Sequence, residues 1–464
     1  MHASPASILR TAALASCAVL AGCAHYQPRP VTLAGLRQSL ESRTLAAAPL
    51  HAWLREHLGR TAPPWDVDAL TGAAWYFSPE LDQARARAAA ASGAAVAAGR
   101  RPVPTLSLPF EYTTNAKPDE SPYTLGLALD IPVEVAGKPG YRVAHARALS
   151  LAARFEIGVT AWRIRQKLRA ALLALWDANA RTALLQEDLV LREHLLRLLE
   201  RRLALGEAAR PEVASVRAQL ASDRARLLQA KRDAAEALAS AAGVIGIPAA
   251  ALQHERLDLH SFAVDAHEPH RGTLLDAALR NRADIQAGLA RYEASQSALQ
   301  LAVADQYPDV HLGPGYTYDA GAHKIAFNLS GIAISLPRNN RGPIAQAQAK
   351  RRLAAAQVEA SIASALAQVD QSLAAWTPAA AALRSAREAV AQQQAVVHAA
   401  AEALRLGEQD RPALLRAHLD ASAARLDAQQ ARLTVQKATG VLEDAVQRPL
   451  DPGHASVPVA ESGR

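Results

Sequence analysis

The sequence is poor in cysteine and in aromatic residues. Only 2 of its 464 residues are cysteines, and only 4% are aromatic. Two cysteines are too few for a disulfide framework or a thiolate metal site. A compact core normally buries more large aromatic side chains, whereas half of the residues here are apolar and alanine is abundant. This composition favours long, closely packed helices over one compact globular core.

The short motifs that carry common catalytic chemistry are also missing. The sequence contains no nucleophile elbow, P-loop, HExxH or CxxC. His267 and His270 form an HxxH with His260 nearby, which offers a metal site, but solvated histidines are the simpler interpretation. Asp130 and Glu134 could be an acid/base pair, but both lie at a strand end, where exposure at a rim explains them. We therefore expect no enzyme, no cofactor and no bound metal.

The charge of the chain is moderately positive, at +7. Such a balance can indicate nucleic-acid binding. The arginines are, however, scattered beside acidic residues on helical patterns, as in the segment LLERRLALGE at 198–207, which is typical of solvated helix faces with ion pairs between successive turns. We expect no nucleic-acid partner.

The N-terminus carries a short apolar run. Residues 11–20 follow Arg10 and are too few for a permanent membrane-spanning helix. The run ends in Leu-Ala-Gly-Cys, which resembles a bacterial lipobox, so we predict a lipoprotein signal peptide at 1–22 and lipidation of Cys23. Cys17 would be removed with that peptide. An ordinary signal peptide followed by an incidental cysteine is the alternative.

One turn occurs twice, as LALGEAARPEV at 203–213 and as LRLGEQDRPAL at 404–414. The glycines, Gly206 and Gly407, can end a helix with positive φ. The prolines, Pro211 and Pro412, suit the first turn of a following helix, where a missing N–H costs nothing. Each copy is therefore predicted to be the tip of a helical hairpin in a duplicated chain.

Helical periodicity flanks both turns over unusual lengths. It predicts helices at about 141–205, 211–242, 344–406 and 412–446, of which the longest spans about 95 Å and needs neighbours along its whole length. The predicted organisation is a tether and equatorial segment at 23–77, a first repeat at 78–245, an irregular linker at 246–273, a second repeat at 274–447 and a disordered tail at 448–464.

Each repeat also contains a pair of segments in which apolar and polar residues alternate, as in β-strands. The fourth segment changes phase near Gly331, which suggests a bulge. Apolar and aromatic residues facing lipid, with small polar residues facing inward, are typical of membrane strands. Four strands cannot close a barrel, whereas three chains would supply twelve. The predicted membrane-strand residues are Leu108, Phe110, Tyr112, Leu125, Leu127, Leu129, Tyr316, Tyr318, Phe327, Ile332 and Ile334.

These features together resemble the TolC-type outer-membrane factors of export systems. The resemblance rests on the lipobox, the helix openings SPEL and RADI, the strand entries VPTL and YPDV, the strand exits DIPVEVAGKPGYR and SLPRNNRGPIAQAQA, and the twin turns. It covers nearly the whole mature chain, twice, in the same order. The segment IPVEVAGKPGYR is also similar to the branch that serves heavy-metal exporters.

The resemblance implies a mainly α-helical fold with a small β part. Three chains would form a 12-stranded outer-membrane β-barrel that continues as a periplasmic α-helical barrel. The implied partners are two further copies, a periplasmic adaptor (membrane-fusion) protein, an inner-membrane pump of the RND type, and outer-membrane lipid. The protein would be a passive channel for metal cations or drugs. A lipid-anchored periplasmic coiled-coil scaffold without a pore is the alternative, but it leaves the strand pairs unexplained.

The resemblance also implies that the two turns dock the adaptor and close the channel. One departure stands out: some members carry acidic residues after the second turn, whereas this chain has Ala413 and Arg416 there and an acid, Glu212, only in the first copy. The resemblance therefore does not settle whether the tip selects cations. The predicted docking and gating residues are Leu205, Gly206, Glu207, Arg210, Pro211, Glu212 and Val213 in the first copy, and Leu406, Gly407, Glu408, Asp410, Arg411, Pro412 and Leu414 in the second.

Overall fold

The computed structural model describes residues 26–60, 62–115, 117, 120–265, 268–319, 321–330 and 340–450. The chain divides into two compact units, residues 1–43 and 44–464. The first unit contains helix α1 (Leu33–Glu41). The Thr32 hydroxyl accepts a hydrogen bond from the Gly35 N–H and caps this helix.

The second unit is dominated by helices, and its strands are gathered in two places. Among the described residues, no helix is both long and apolar enough to cross a membrane. The helices are α2 (Ala48–Leu58), α3 (Val67–Phe77), α4 (Pro79–Ala98), α5 (Lys138–Ala204), α6 (Arg210–Ile245), α7 (Ala249–Gln253), α8 (Arg271–Asn281), α9 (Ala283–Ala304), α10 (Arg341–Leu406) and α11 (Arg411–Val446). The strands are β1 (Trp65–Asp66), β2 (Thr105–Ser107), β3 (Phe110–Tyr112), β4 (Tyr123–Val133), β5 (Leu257–Asp258), β6 (Val310–Asp319) and β7 (Ala322–Ser330).

The duplication is visible in the order and the length of these elements. Helices α4, α5 and α6 contain 20, 67 and 36 residues, and α9, α10 and α11 contain 22, 66 and 36. Each repeat places a pair of strand segments between its first and second helix. At 1.5 Å per residue the two longest helices extend for about 100 Å. The prediction of a mainly helical, duplicated chain with a small β part is therefore confirmed.

The long helices begin slightly before the predicted positions. Helix α5 begins at Lys138 and α10 at Arg341, because Pro139 and Pro343 lie in their first turns, where proline is tolerated. Helix α5 has packing partners along its length, as its size requires: it contacts α4, α9, α6 and α11.

Five strands from the two repeats form one antiparallel sheet. Its order is β2–β4–β6–β7, and β3 also pairs with β4. The segment expected to be one strand is divided at Pro109, which has no N–H to donate. The register continues across the gap, because the Gly126 N–H donates to the Pro109 carbonyl at 2.8 Å. The sheet therefore ends, within the described residues of one chain, at β2/β3 on one side and β7 on the other.

The linker was expected to be irregular, and this was wrong. It contains α7, β5 and a 3-10 turn at His260–Ala263, and β5 pairs in parallel with β1 through Trp65 and Leu257. A two-residue strand leaves no period in the sequence, and its partner lies far away in the chain. Phe262 of this linker is buried in the main apolar core, together with Trp75 of α3 and Leu172 of α5.

A buried ion cluster joins the first repeat to the second. On α5, Arg165 lies 3.3 Å from the Glu443 carboxylate of α11, and Arg169 lies 3.2 Å from the same oxygen. The side chains of Arg165 and Glu443 are only 2% and 5% exposed. Arg169 also donates to the backbone and side-chain oxygens of Gln436. The cluster fixes where α11 crosses α5.

Replacing Glu443 with alanine should strongly destabilise the fold. The change leaves two buried guanidiniums without their shared carboxylate, and breaking a buried pair in this way costs about 3–5 kcal/mol. Thermal or denaturant unfolding of the purified protein measures the loss. Glu236→Ala is the matched control, because Glu236 forms an exposed pair with Arg232 one turn away on α6 and should have almost no effect. Equal losses in the two variants would contradict the argument.

Candidate functional site

The sheet has two chemically different faces. Residues paired across neighbouring strands lie on the same face, so the register settles which side chains belong together. The apolar face carries Leu106, Phe110, Tyr112, Tyr123, Leu125, Leu127, Leu129, Ile131, Leu312, Tyr316, Tyr318, Ile325 and Phe327. The polar face carries Thr105, Ser107, Glu111, Thr124, Gly126, Ala128, His311, Gly315, Thr317, Asp319, Lys324 and Ala326.

No other element among the described residues covers the apolar face, whose large side chains are exposed. Phe327 is 83% exposed and Phe110 65% exposed, which is unusual for side chains of this size in contact with water. Tyr112 and Tyr123 lie side by side at one end of the sheet, with ring centroids 5.3 Å apart. Tyr318 lies next to His323 at the same end. The arrangement is an apolar band bordered by aromatic rings.

The polar face carries its own network of charged contacts. His311 Nδ1 lies 3.0 Å from the Asp130 carboxylate. Asp319 accepts hydrogen bonds from the Thr124 hydroxyl at 3.0 Å and from Lys324 Nζ at 2.6 Å. These contacts run between different strands and fix the polar side chains on that face.

The acid/base interpretation of Asp130 and Glu134 has no support in this geometry. Asp130 pairs with His311, whereas Glu134 pairs with Arg142 near the start of α5. The hydrogen bond from the Arg142 guanidinium holds the pKa of Glu134 below its usual range. Each carboxylate therefore has a separate structural partner.

Several expectations concern residues that lie outside the described part of the chain. They are the signal peptide at 1–22, the lipidation of Cys23, the strand positions Ile332 and Ile334, the bulge near Gly331, His267, and residues 451–464 of the predicted tail. His260 and His270 are described and exposed. Within the described residues, no three histidine, cysteine, aspartate or glutamate side chains come together as a metal site.

The twin turns have the predicted local conformation. Gly206 and Gly407 both have φ of +77°, a backbone angle that favours glycine. The following helices begin at Arg210 and Arg411, so each proline lies in a first turn. The apolar residues before the glycines remain exposed, Leu205 by 74% and Leu406 by 56%. These two leucines form the most apolar part of the exposed turn surface.

The two turns differ in how the second helix begins. Asp410 caps α11, because its carboxylate accepts from the Ala413 N–H at 3.0 Å, whereas Ala209 at the corresponding position before α6 offers no side-chain cap. Pro412 is buried and Pro211 is exposed. The two copies of the turn therefore present different surfaces.

Ion pairs tie the first hairpin to the second close to the turns. Arg202 on α5 lies 2.5 Å from Asp410, and Arg416 on α11 pairs with Glu212 on α6. A third pair, Arg425 with Glu187, lies farther from the turns. Immediately behind them is an apolar cluster that includes Val213 and draws on both hairpins; its buried members are Leu195, Leu199, Val213, Val216 and Leu419.

Sequence reasoning missed Arg202 and recognised Arg416 only as a departure. Of the predicted turn residues, Glu212 and Asp410 enter the ion pairs and Val213 enters the apolar cluster, whereas Leu205 and Leu406 do not. An arginine one turn before a helix-ending glycine is a weak signal, because its partner belongs to the other repeat. Only the folded structure shows that Arg202 lies next to Asp410 of the second repeat.

Acidification should loosen this link only well below neutral pH. The hydrogen bond from Arg202 lowers the pKa of Asp410. The stabilisation that this ion pair contributes is therefore complete above the pKa of Asp410 in the unfolded chain, near 3.8. It is lost as the pH falls through the lower pKa of the folded protein. The pair is half exposed, so it contributes about 1 kcal/mol or less.

Spin labels attached at Ala209→Cys and Gln409→Cys can measure the distance between the two turns and show whether the link between them has loosened. We expect the same distance distribution at pH 7 and pH 5. Asp410→Asn should broaden it already at pH 7, because a neutral amide cannot form the ion pair. Broadening of the unsubstituted protein between pH 7 and pH 5 would contradict the assignment.

Comparisons with known proteins agree with this architecture. Residues 74–246 and 274–446 each match the family described as outer membrane efflux protein. The chain is 26% identical over 355 residues to OpmQ, the pyoverdine export outer membrane protein of Pseudomonas aeruginosa, across 72% of this chain and 73% of that protein.

Solved structures give the same fold. VceC of Vibrio cholerae matches with a TM-score of 0.65 at 21% identity, over 87% of this chain and 99% of that one. The MtrE outer membrane channel of Neisseria gonorrhoeae matches with a TM-score of 0.64 at 17% identity, over 83% and 89%.

Proposed function

The chain belongs to the outer membrane efflux protein family, and we propose that it forms, as a homotrimer, the passive exit duct of a tripartite efflux system. The observation that carries this proposal is the two-faced sheet. Its apolar face is exposed, its polar face is lined by small and charged residues, and within the described residues both of its edges lack a partner strand. Three copies side by side would pair these edges, with the apolar faces toward lipid and the polar faces around water.

The helices supply the second part of the duct. Helices α5 and α10 lead from the strands to the turns over about 100 Å, so the turns lie at the end remote from the sheet. We assign the turns to the periplasmic mouth. Transport needs no catalysis in this chain, because an inner-membrane pump, expected to be of the RND type, would provide the energy through a periplasmic adaptor.

The turn residues divide into a docking set and a closing set. Leu205 and Leu406 are exposed apolar side chains at the tips, and such residues suit contact with an adaptor protein. The ion pairs Arg202–Asp410 and Arg416–Glu212 hold the two hairpins together and suit a closed mouth. The docking role is proposed because the two leucines are exposed, and the closing role because the two ion pairs join the hairpins.

The cargo classes expected from the sequence are metal cations and organic drugs. OpmQ is named for export of pyoverdine, which favours an organic cargo. The turns themselves carry no concentration of negative charge, since Arg210 and Arg411 are exposed beside Glu207 and Glu408. A mouth of mixed charge does not select cations. We therefore propose organic molecules as the cargo.

Cys23 is proposed to be the lipid anchor in the outer membrane. Cells fed radioactive or clickable palmitate should label the protein, and Cys23→Ser should abolish the label. Cys17→Ser is the matched control, because Cys17 lies inside the predicted signal peptide and should leave labelling intact. Label retained in Cys23→Ser would contradict the anchor.

Conductance across planar lipid bilayers tests the duct itself. The purified full-length protein should insert and give discrete conductance steps, and cross-linking before insertion should give a trimer. Absence of conductance, even after the hairpin links have been removed by Arg202→Ala and Arg416→Ala, would count against a pore. A soluble monomer after removal of the lipid would instead favour the scaffold alternative.

A further inference from the structure

A small cleft lies between the linker and the second hairpin, apart from both the sheet and the turns. Its volume is about 210 Å³. Three arginines line it: Arg384 and Arg387 from α10 and Arg432 from α11. Asp265 of the linker lies at its edge, and Trp376 and Leu383 form part of its apolar wall. We call this site the arginine cleft.

The lining of the arginine cleft contains three arginines and only two acidic residues. Arg387 donates through both terminal nitrogens to Asp265, one of these bonds measuring 2.7 Å. Arg432 forms no ion pair with a described residue, and Asp265 is only a nearby opposite charge. The Arg432 Nε is buried without a hydrogen-bond partner in the described part of the chain. Arg384 forms no ion pair with any described residue. The remaining acidic group in the lining, Glu268, is exposed.

The surroundings of Arg432 are unfavourable for its charge. Burial lowers the pKa of Arg432 most, and the neighbouring Arg387 lowers it further. A bound anion would oppose this lowering of the pKa, because an opposite charge nearby favours the charged form. Guanidinium groups also match oxyanions in geometry, since they present several N–H donors in one plane.

The size of the cleft limits what it can hold. Drug-sized ligands occupy pockets of about 300–1,000 Å³, so 210 Å³ suits a phosphate ion or a short carboxylate. We propose that the arginine cleft binds a small oxyanion between Arg384 and Arg432. Such an anion would join α10 to α11 and, through Arg387 and Asp265, both helices to the linker. The inference does not depend on the function proposed above.

Calorimetric titration of the full-length protein in detergent tests the site directly. Inorganic phosphate and, separately, acetate are titrated at constant pH and ionic strength in chloride buffer. We expect saturable binding of at least one of them, with one site per chain. Binding of phosphate but not acetate would identify the ligand as a tetrahedral oxyanion. Binding of acetate but not phosphate would identify it as a carboxylate. No saturable binding of either anion would overturn the proposal.

Two substitutions with opposite expected effects separate binding from structural damage. Arg384→Ala should weaken binding at least about tenfold, as loss of one charged hydrogen bond does. Asp265→Asn should strengthen it, because the competing carboxylate charge is removed and Arg387 becomes available. Arg280→Ala is the control, since Arg280 is an exposed arginine on α8 that pairs with Asp276. Equal weakening by Arg280→Ala and Arg384→Ala would overturn the proposal.

Discussion

Replacing Leu127 with arginine should prevent the chain from assembling in the outer membrane. Leu127 lies in the middle of β4 on the apolar face, opposite Tyr316. An arginine facing lipid near the centre of a bilayer costs about 2–4 kcal/mol, and a trimer would contain three of them. The measurement is the amount of folded trimer in outer-membrane fractions. We expect it to fall to a small fraction of the unsubstituted amount.

The adjacent residue provides the control. Ala128 points to the polar face, between Ser107 and Gly315, so an arginine there meets small neighbours and water. Ala128→Arg should leave the amount of trimer nearly unchanged. Equal losses at the two positions would show that the sheet does not face lipid on one side and water on the other. Tolerance of Leu127→Arg would contradict the assignment of the apolar face.

Removing the two ion pairs that join the hairpins closest to the turns should open the channel mouth. In the Arg202→Ala, Arg416→Ala double variant, the carboxylates of Asp410 and Glu212 lose their partners on the opposite hairpin. The helices behind the turns stay packed through the apolar cluster around Val213, so the trimer should survive. Single-channel conductance in planar bilayers should rise several-fold.

Arg405→Ala is the matched control for this prediction. Arg405 lies on α10 just before the second turn, but it pairs with Glu402 of the same helix and does not join the hairpins. Its loss should leave conductance unchanged. The Arg202–Asp410 pair can be tested further by exchanging its charges. Arg202→Asp alone should raise the conductance, and adding Asp410→Arg should lower it again, because the ion pair can form in the opposite direction. A raised conductance in Arg405→Ala, or no rise in the double variant, would contradict closure by these links.

The sequence by itself determined the elements that depend on local chemistry. Gly206 and Pro211, repeated as Gly407 and Pro412, specify a helix end followed by a helix start through backbone angles alone. Alternation of polar and apolar residues in β4 and β6 assigns each residue to a face before any pairing is known. The repeated order of these signals was sufficient to place the chain among TolC-type outer-membrane factors, which the family match confirms.

Tertiary structure decided which elements meet. The pairing of β4 with β6 unites strands of different repeats into one sheet, and the links Arg202–Asp410 and Arg416–Glu212 join hairpins about 200 residues apart in the chain. The pairing of Trp65 with Leu257 and the arginine cleft also bring together residues that are far apart in the chain. Local periodicity contains no information about such partners, because contacts between distant segments arise only when long helices pack against one another in a fixed register.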